Sequence, residues 1–183
     1  MSFHFQFRGF LTAMALICAT ALNTAHAGND GLYDWKPCPD ALAEEGGAQP
    51  SKKWDLTLSP YTYHWSQNPE HRPVKLVALD SHVAGGRFCG MAVFTNSFGQ
   101  ASTYVYVGKQ WNGILGTPKL FSKVSAGLLG GCRGKYKDKI PYNSSGIAPA
   151  IIPSLGYAIT PKDSAQVFVL GNAGLLFAYG RSF

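Results

Sequence analysis

Leu175-Leu176-Phe177-Ala178-Tyr179-Gly180-Arg181-Ser182-Phe183 is the stretch that decides the fold. Leu175, Phe177 and Tyr179 alternate with Leu176, Ala178, Gly180 and Ser182, and the stretch ends on an aromatic, Phe183. A period of two places the first set on one face of a strand and the second on the other. Large apolar side chains outward, small ones inward and a terminal aromatic suit the closing strand of a barrel whose wall faces lipid. The competing reading is the edge strand of a soluble sandwich.

Working back from this strand, seven more runs rich in Val, Tyr, Phe, Leu and Thr read as strands, at about 54–65, 74–83, 87–95, 101–111, 119–133, 147–159 and 165–170, with 175–183 as the eighth. Turn signals separate them, among them Ala84-Gly85-Gly86, Asn112-Gly113, Thr160-Pro161-Lys162-Asp163 and Gly171-Asn172-Ala173-Gly174. The expected fold is all-β: an eight-stranded antiparallel outer-membrane β-barrel with a short periplasmic N-terminal segment. Eight strands enclose a lumen about wide enough for its own side chains or one small ligand, which excludes an open channel. Met91, Ala126, Leu128, Ala178 and Gly180 are the inward candidates, and they make a narrow apolar cavity suited to an acyl chain. Pro60, Pro73, Pro149 and Pro153 each remove a ladder donor within or at the start of a strand. Such weak points either serve as lateral openings or merely bend the strands.

Residues 1–27 read as a signal peptide: Arg8 precedes an apolar run over 10–22, and Ala25-His26-Ala27 has the small-x-small form of a cleavage site. The run is short of the ~20 residues that a spanning helix needs. Residues 28–53, with Pro37, Pro39, Pro50 and Gly46-Gly47, form a periplasmic lead-in in which only 40–45 looks helical, and 54–183 form the barrel. The formal charge of +6 suits an anionic surface such as lipid phosphate. Export and the scatter of basic residues among turns argue against nucleic acid. Cys38, Cys89 and Cys132 remain after cleavage, and an odd number cannot all pair within one chain. Cys89 and Cys132 read as small apolar strand residues at opposite ends of the barrel. Cys38 lies within reach of Cys89, which leaves a bridge there open, though not the expectation.

Strand order sends odd strands up and even strands down. The outer loops then fall at 66–73, 96–100, 134–146 and 171–174, while the short turns face the periplasm. His64 ends the first upward strand and Asn96-Ser97 end the third, so all three reach one rim. A serine hydroxyl becomes a useful nucleophile when a base within hydrogen-bond reach takes its proton, and His64 beside Ser97 has those ingredients. The rival cluster Asp80-Ser81-His82 reads as structural, because neighbouring strand residues point to opposite faces. Lys135, Lys137 and Lys139 fall in the third outer loop, where ammonium groups attract lipid phosphates. No metal site and no cofactor is read from the sequence.

Several landmarks occur in order over about 56–183. They are Leu58-Ser59-Pro60 with Tyr63-His64, Arg72-Pro73, and Gly90-Met91-Ala92-Val93-Phe94 leading to Asn96-Ser97. Gly108 before Trp111, Ile151-Ile152-Pro153 through Gly156-Tyr157, and the closing Phe177-Ala178-Tyr179 with Phe183 complete the set. In this the chain resembles the lipid A palmitoyltransferases of the PagP type. The resemblance implies an outer-membrane enzyme of a Gram-negative bacterium that moves palmitate from a glycerophospholipid donor to lipid A, without cofactor. It carries the family His onto His64 and the Ser onto Ser97, while the family Asp falls on Asn96, which can orient an imidazole but supplies no charge. Gly108 matches the glycine that floors the acyl pocket. Met91, Pro60, Pro73 and Pro153 complete the substrate-binding set. The lead-in departs from the amphipathic helix with which the family begins.

Two other functions fit the same residues. Water in place of lipid A as acceptor makes a lipid A deacylase, and Asn96 in place of Asp keeps open a non-catalytic lipid-binding or structural barrel. A closed barrel has no free edge to pair, so a monomer is expected.

Overall fold

A computed structural model describes residues 37–50, 54–66 and 68–183. The expected signal peptide, 1–27, and the first part of the lead-in lie outside the described residues. Eight antiparallel strands close into one barrel: β1 (Trp54–His64), β2 (Leu76–Val83), β3 (Arg87–Thr95), β4 (Ala101–Asn112), β5 (Leu120–Gly130), β6 (Ile147–Ala158), β7 (Asp163–Val169) and β8 (Gly174–Ser182). The stretch that decides the fold is β8, which pairs back onto β1 through Leu58↔Tyr179 and Thr62↔Leu176. Every predicted strand is present. The largest boundary difference is at β5, which ends at Gly130 and not at 133; β2 starts two residues late, at Leu76, because the chain from Pro73 to Lys75 is still entering the wall, and β7 starts two residues early, at Asp163.

Turn chemistry sets the sense of the loops. Gly85 and Gly86 adopt φ of 81° and 73° in the β2–β3 reversal, a left-handed region that costs other residues strain. This tight turn falls at the end opposite the 66–75, 96–100 and 131–146 connections. The wall presents apolar side chains outward all around it, including Leu58, Val77, Val105, Leu128, Ile151 and Phe177. Tyr61, Tyr63 and Trp65 stand exposed at one rim, and Trp111, Tyr157 and Phe183 at the other. An apolar band between two aromatic girdles is the surface of a transmembrane barrel, since water would penalise so much exposed hydrocarbon.

The inner face corrects part of the sequence reading. Ala178 and Gly180 point inward, but Met91 and Leu128, at 48% and 61% exposure, and Ala126 lie on the lipid side. In β3 and β5 both alternating sets contain apolar residues, so alternation alone could not assign the faces. The lumen is also not uniformly apolar. Its inner half holds Asp55, Asp80, His82, Lys123 and Tyr106.

The lead-in is held against the barrel. Cys38 and Cys89 form a disulfide with Cα atoms 5.5 Å apart, which corrects the expectation that Cys89 is an unpaired strand residue. Cys132 is the free, buried thiol among the described residues. Because Phe88 and Gly90 face the lumen, Cys89 faces out, and the bridge lays Cys38 over the outer wall beside Ser81. Glu44 N–H donates to Ala84 O and Gly85 N–H to Ala48 O, tying the same segment to the β2–β3 turn. The helical stretch expected at 40–45 is a single 3-10 turn, Asp40–Leu42.

Candidate active site

The turn after β3 is organised by Asn96. Its Oδ1 accepts from the Phe98 and Gln100 N–H groups at 3.0 and 2.9 Å, and its Nδ2 donates to Gln100 Oε1 and Cys132 Sγ, both at 3.4 Å. Asn96 N–H donates to Gln100 O and Gly99 N–H to Asn96 O. An Asx side chain in this role replaces ladder partners that the chain loses as it leaves the sheet. Ser97 is thereby presented toward the end of β1, where its Oγ lies 2.7 Å from His64 Nε2. The two residues paired from sequence order are in direct hydrogen-bond contact. The expected role of Asn96 is corrected: its polar atoms are committed to the turn that carries Ser97 and to Cys132, not to the imidazole.

His71 is the residue that sequence reading missed. Its ring packs on that of His64 with centroids 4.3 Å apart and planes 33° apart, and it meets Phe98 edge-on at 5.7 Å. Phe98 stacks on Tyr136 at 4.2 Å, and Lys135 Nζ donates to Glu70 Oε1 at 2.5 Å. Arg72 N–H donates to Ser97 O. The loops at 66–75, 96–100 and 131–146 thus hold one another, and the His64 ring is backed by the aromatic face of His71. The hydrogen bond from Lys135 to Glu70 holds its ammonium well above the usual lysine range. Lys135 is therefore committed within the protein, whereas Lys137 remains exposed. A second histidine between Pro69 and Pro73 was the available signal for His71, but nothing local said which way its ring would turn.

Two gaps open the wall at this end of the barrel, the first of them beside the pair. The β1–β2 ladder stops at Ser59↔Leu76, so Pro60–His64 have no partner in β2, and the β1–β8 register shifts between Leu58 and Tyr61. The β6–β7 ladder starts only at Ser154↔Phe168, which leaves 147–153 of β6 paired to β5 alone. Pro60, Pro73 and Pro153 border these gaps as exposed wall residues, and none of them lines the lumen. Proline at such positions removes a donor that the ladder would need. The first gap is a groove of about 610 Å³ whose walls include Thr62, His64, Ser66 and His71.

Inside the barrel lies a cavity of about 60 Å³, walled by Leu76, Ala78, Ala92, Ile152, Phe168 and Leu176. Phe88, Asp80, Tyr106 and Lys123 also line it, on the side of the inner rim. Lys123 Nζ donates to Asp55 Oδ2 at 3.0 Å and to Asp80 Oδ2 at 3.2 Å, Tyr106 OH donates to Asp80 Oδ1 at 2.6 Å, and His82 Nε2 lies 2.9 Å from Asp55 Oδ2. Buried charges persist only with such partners, since leaving one unpaired costs several kcal/mol. Asp80 and His82 face this network while Ser81 faces out, so the Asp80-Ser81-His82 cluster does not form a unit. Asp55, Asp80 and His82 offer three ligand atoms within 4.8 Å of one another, but the Lys123 ammonium already bridges the two carboxylates. A metal ion would have to displace it.

Gly108 faces the lumen, yet it does not line the cavity. The Phe88 ring fills the space beside it, and a Cβ there would meet that ring and the Val124 carbonyl oxygen. The expected floor is corrected accordingly: Gly108 makes room for Phe88, and Phe88 with the Asp80–Tyr106–Lys123 layer closes the cavity. Met91, expected among the substrate contacts, stands on the lipid face.

These features define a closed eight-stranded transmembrane β-barrel with a His–Ser pair at one rim. The chain is similar to a solved structure described as "De novo design of transmembrane beta-barrels", with 14% identity, a TM-score of 0.53, and coverage of 74% of this chain and 98% of that one. No protein-family model and no curated protein matches the chain.

Proposed function

We propose that this barrel is an acyltransferase of a Gram-negative outer membrane that moves an acyl chain, palmitoyl in the reading from the family landmarks, from a glycerophospholipid to lipid A. The observation that carries the reading is the 2.7 Å contact between His64 Nε2 and Ser97 Oγ. The pair stands beside a lateral groove, at the end of the barrel nearer the apolar side of the lumen cavity. A lipid tail can leave the bilayer through the β1–β2 gap, displace the side chains around the 60 Å³ cavity to seat in the apolar half of the lumen, and leave its ester at the pair. Ser97 Oγ attacks the ester carbonyl carbon as its proton passes to His64 Nε2. The tetrahedral centre then expels the glycerol oxygen, which takes that proton and departs as lysophospholipid. A lipid A hydroxyl attacks the acyl-Ser97 ester, gives its proton to His64, and the proton returns to Ser97 Oγ as the acylated product leaves. No cofactor enters this sequence.

The half-exposure of His64 and Ser97 favours one second reading, in which water attacks the acyl-Ser97 ester and a fatty acid is released. Mass spectrometry of lipid A separates the two, using a host without its own palmitoyltransferase. A gain of one acyl chain with the intact protein, absent with His64→Ala and Ser97→Ala, is the expected result. Loss of acyl chains would identify a deacylase. Unchanged lipid A with a correctly assembled barrel would remove both and leave a lipid-binding barrel.

A further inference from the structure

Most hydroxyls of the inner wall have partners. Ser59 Oγ donates to Phe177 O at 2.7 Å, Ser102 Oγ to Gln100 O, and Ser125 Oγ to Ile152 O. Thr62 and Ser154 differ: both are more than nine-tenths buried, and neither Thr62 Oγ1 nor Ser154 Oγ has a hydrogen-bond partner among the described residues, but of the two only Thr62 lies on the strand of His64 and in the wall of the groove beside it. An unpaired buried hydroxyl is destabilising, so its retention calls for an acceptor that arrives from outside the protein.

The position of Thr62 says what that acceptor is. Thr62 lies two residues before His64 on the same strand face, about 7 Å along the wall by strand rise. It is the register partner of Leu176, which lines the lumen cavity, and it shares the wall of the lateral groove with His64 and His71. Thr62 therefore sits between the space that would take a hydrocarbon tail and the pair that would attack its ester. The stronger acceptor of an acyl ester is its carbonyl oxygen, which accepts but cannot donate and which takes the negative charge when the carbonyl carbon is attacked. A threonine hydroxyl is the complementary donor.

We propose that Thr62 is a catalytic residue of this site, whose hydroxyl donates to the carbonyl oxygen of the acyl ester and holds the negative charge that develops there. This rests on the acyl-transfer reading above. When Ser97 Oγ bonds to the carbonyl carbon, the C=O π pair moves onto oxygen, and the Thr62 hydrogen bond strengthens as that oxyanion forms. The bond weakens again when the C=O is restored and the glycerol oxygen leaves with the proton from His64. No proton leaves Thr62. A preformed donor aimed at developing charge acts on the transition state more than on the bound ester.

Thr62→Val keeps the shape and removes the donor, and Thr62→Ser restores it. The expected result is a fall in kcat of about 100-fold for Thr62→Val, with little change in KM for the phospholipid, and recovery to within a few-fold in Thr62→Ser. Heat-modifiable gel mobility confirms that each variant is a closed barrel. The second measurement does not depend on turnover: infrared spectra of a phospholipid with a 13C-labelled ester carbonyl, bound to Ser97→Ala protein in detergent. The carbonyl band is expected at lower frequency than in free lipid, and at the free-lipid position when Thr62→Val is added. A folded Thr62→Val protein with unchanged kcat, or an identical band with and without the hydroxyl, would overturn the assignment. Absence of any transfer by the intact protein would instead overturn the acyl-transfer reading, and the infrared band would still decide Thr62.

Discussion

Phe88 and Gly108 are register partners across β3 and β4, and the Phe88 ring occupies the space that a side chain at 108 would need. Phe88 is 1% exposed and lines the lumen cavity, so the depth of that cavity is set by a contact between two residues rather than by one. Adding a methyl with Gly108→Ala should push the ring toward the cavity, destabilise the barrel by about 1–3 kcal/mol, and shift the transferred acyl group to shorter chains. Phe88→Leu should shift it to longer ones. Mass spectra of the acylated product measure both, and an unchanged chain-length distribution in the two folded variants would refute this floor.

Lys123→Met should cost about 3–5 kcal/mol, because it leaves Asp55 and Asp80 buried without their cation. Replacing all three charges together, as Lys123→Met with Asp55→Asn and Asp80→Asn, should recover much of that loss. Urea unfolding of barrels in lipid vesicles gives both values. Equal losses in the single and triple variants would show that packing, not charge pairing, holds this layer.

Asn96→Ala removes the acceptor of two amides that shape the turn under Ser97. We expect faster hydrogen exchange at the Phe98 and Gln100 amides and a rate of acyl transfer lowered by about 10–100-fold, with the barrel intact. Asn96→Asp retains the oxygen acceptor and should keep both amides protected. Exchange followed by NMR distinguishes a positioned turn from a loosened one.

His71→Phe keeps an aromatic face against His64 and should retain most activity, whereas His71→Ala removes the backing and should lower kcat. Comparable losses in the two variants would mean that His71 acts through its ring nitrogens rather than by packing.

Cys38 and Cys89 are 51 residues apart in the chain, and closing a loop of that length contributes roughly 4 kcal/mol in the chain-entropy account. The double variant Cys38→Ser with Cys89→Ser should unfold at lower urea while still transferring acyl chains, since the bridge lies at the rim opposite His64. Loss of activity at full folding would place the lead-in in the catalytic cycle.

The strands were legible in the sequence because a sheet leaves a local trace: β8 shows its two faces residue by residue, and glycine and proline clusters mark where each strand turns. Strand order alone also brought His64 and Ser97 to one rim, because antiparallel neighbours alternate direction whatever their side chains do. Only the tertiary structure decided the rest. Met91 and Leu128 could not be assigned to a face where both faces are apolar. The partners of Lys123 and the ring beside Gly108 come from other strands, and no local pattern records them. The orientation of His71, the commitment of Asn96 to its own turn and the unpartnered hydroxyl of Thr62 likewise depend on how three loops and a closed register meet in space. Period and turn chemistry are properties of neighbouring residues, whereas a site is made of contacts between distant ones.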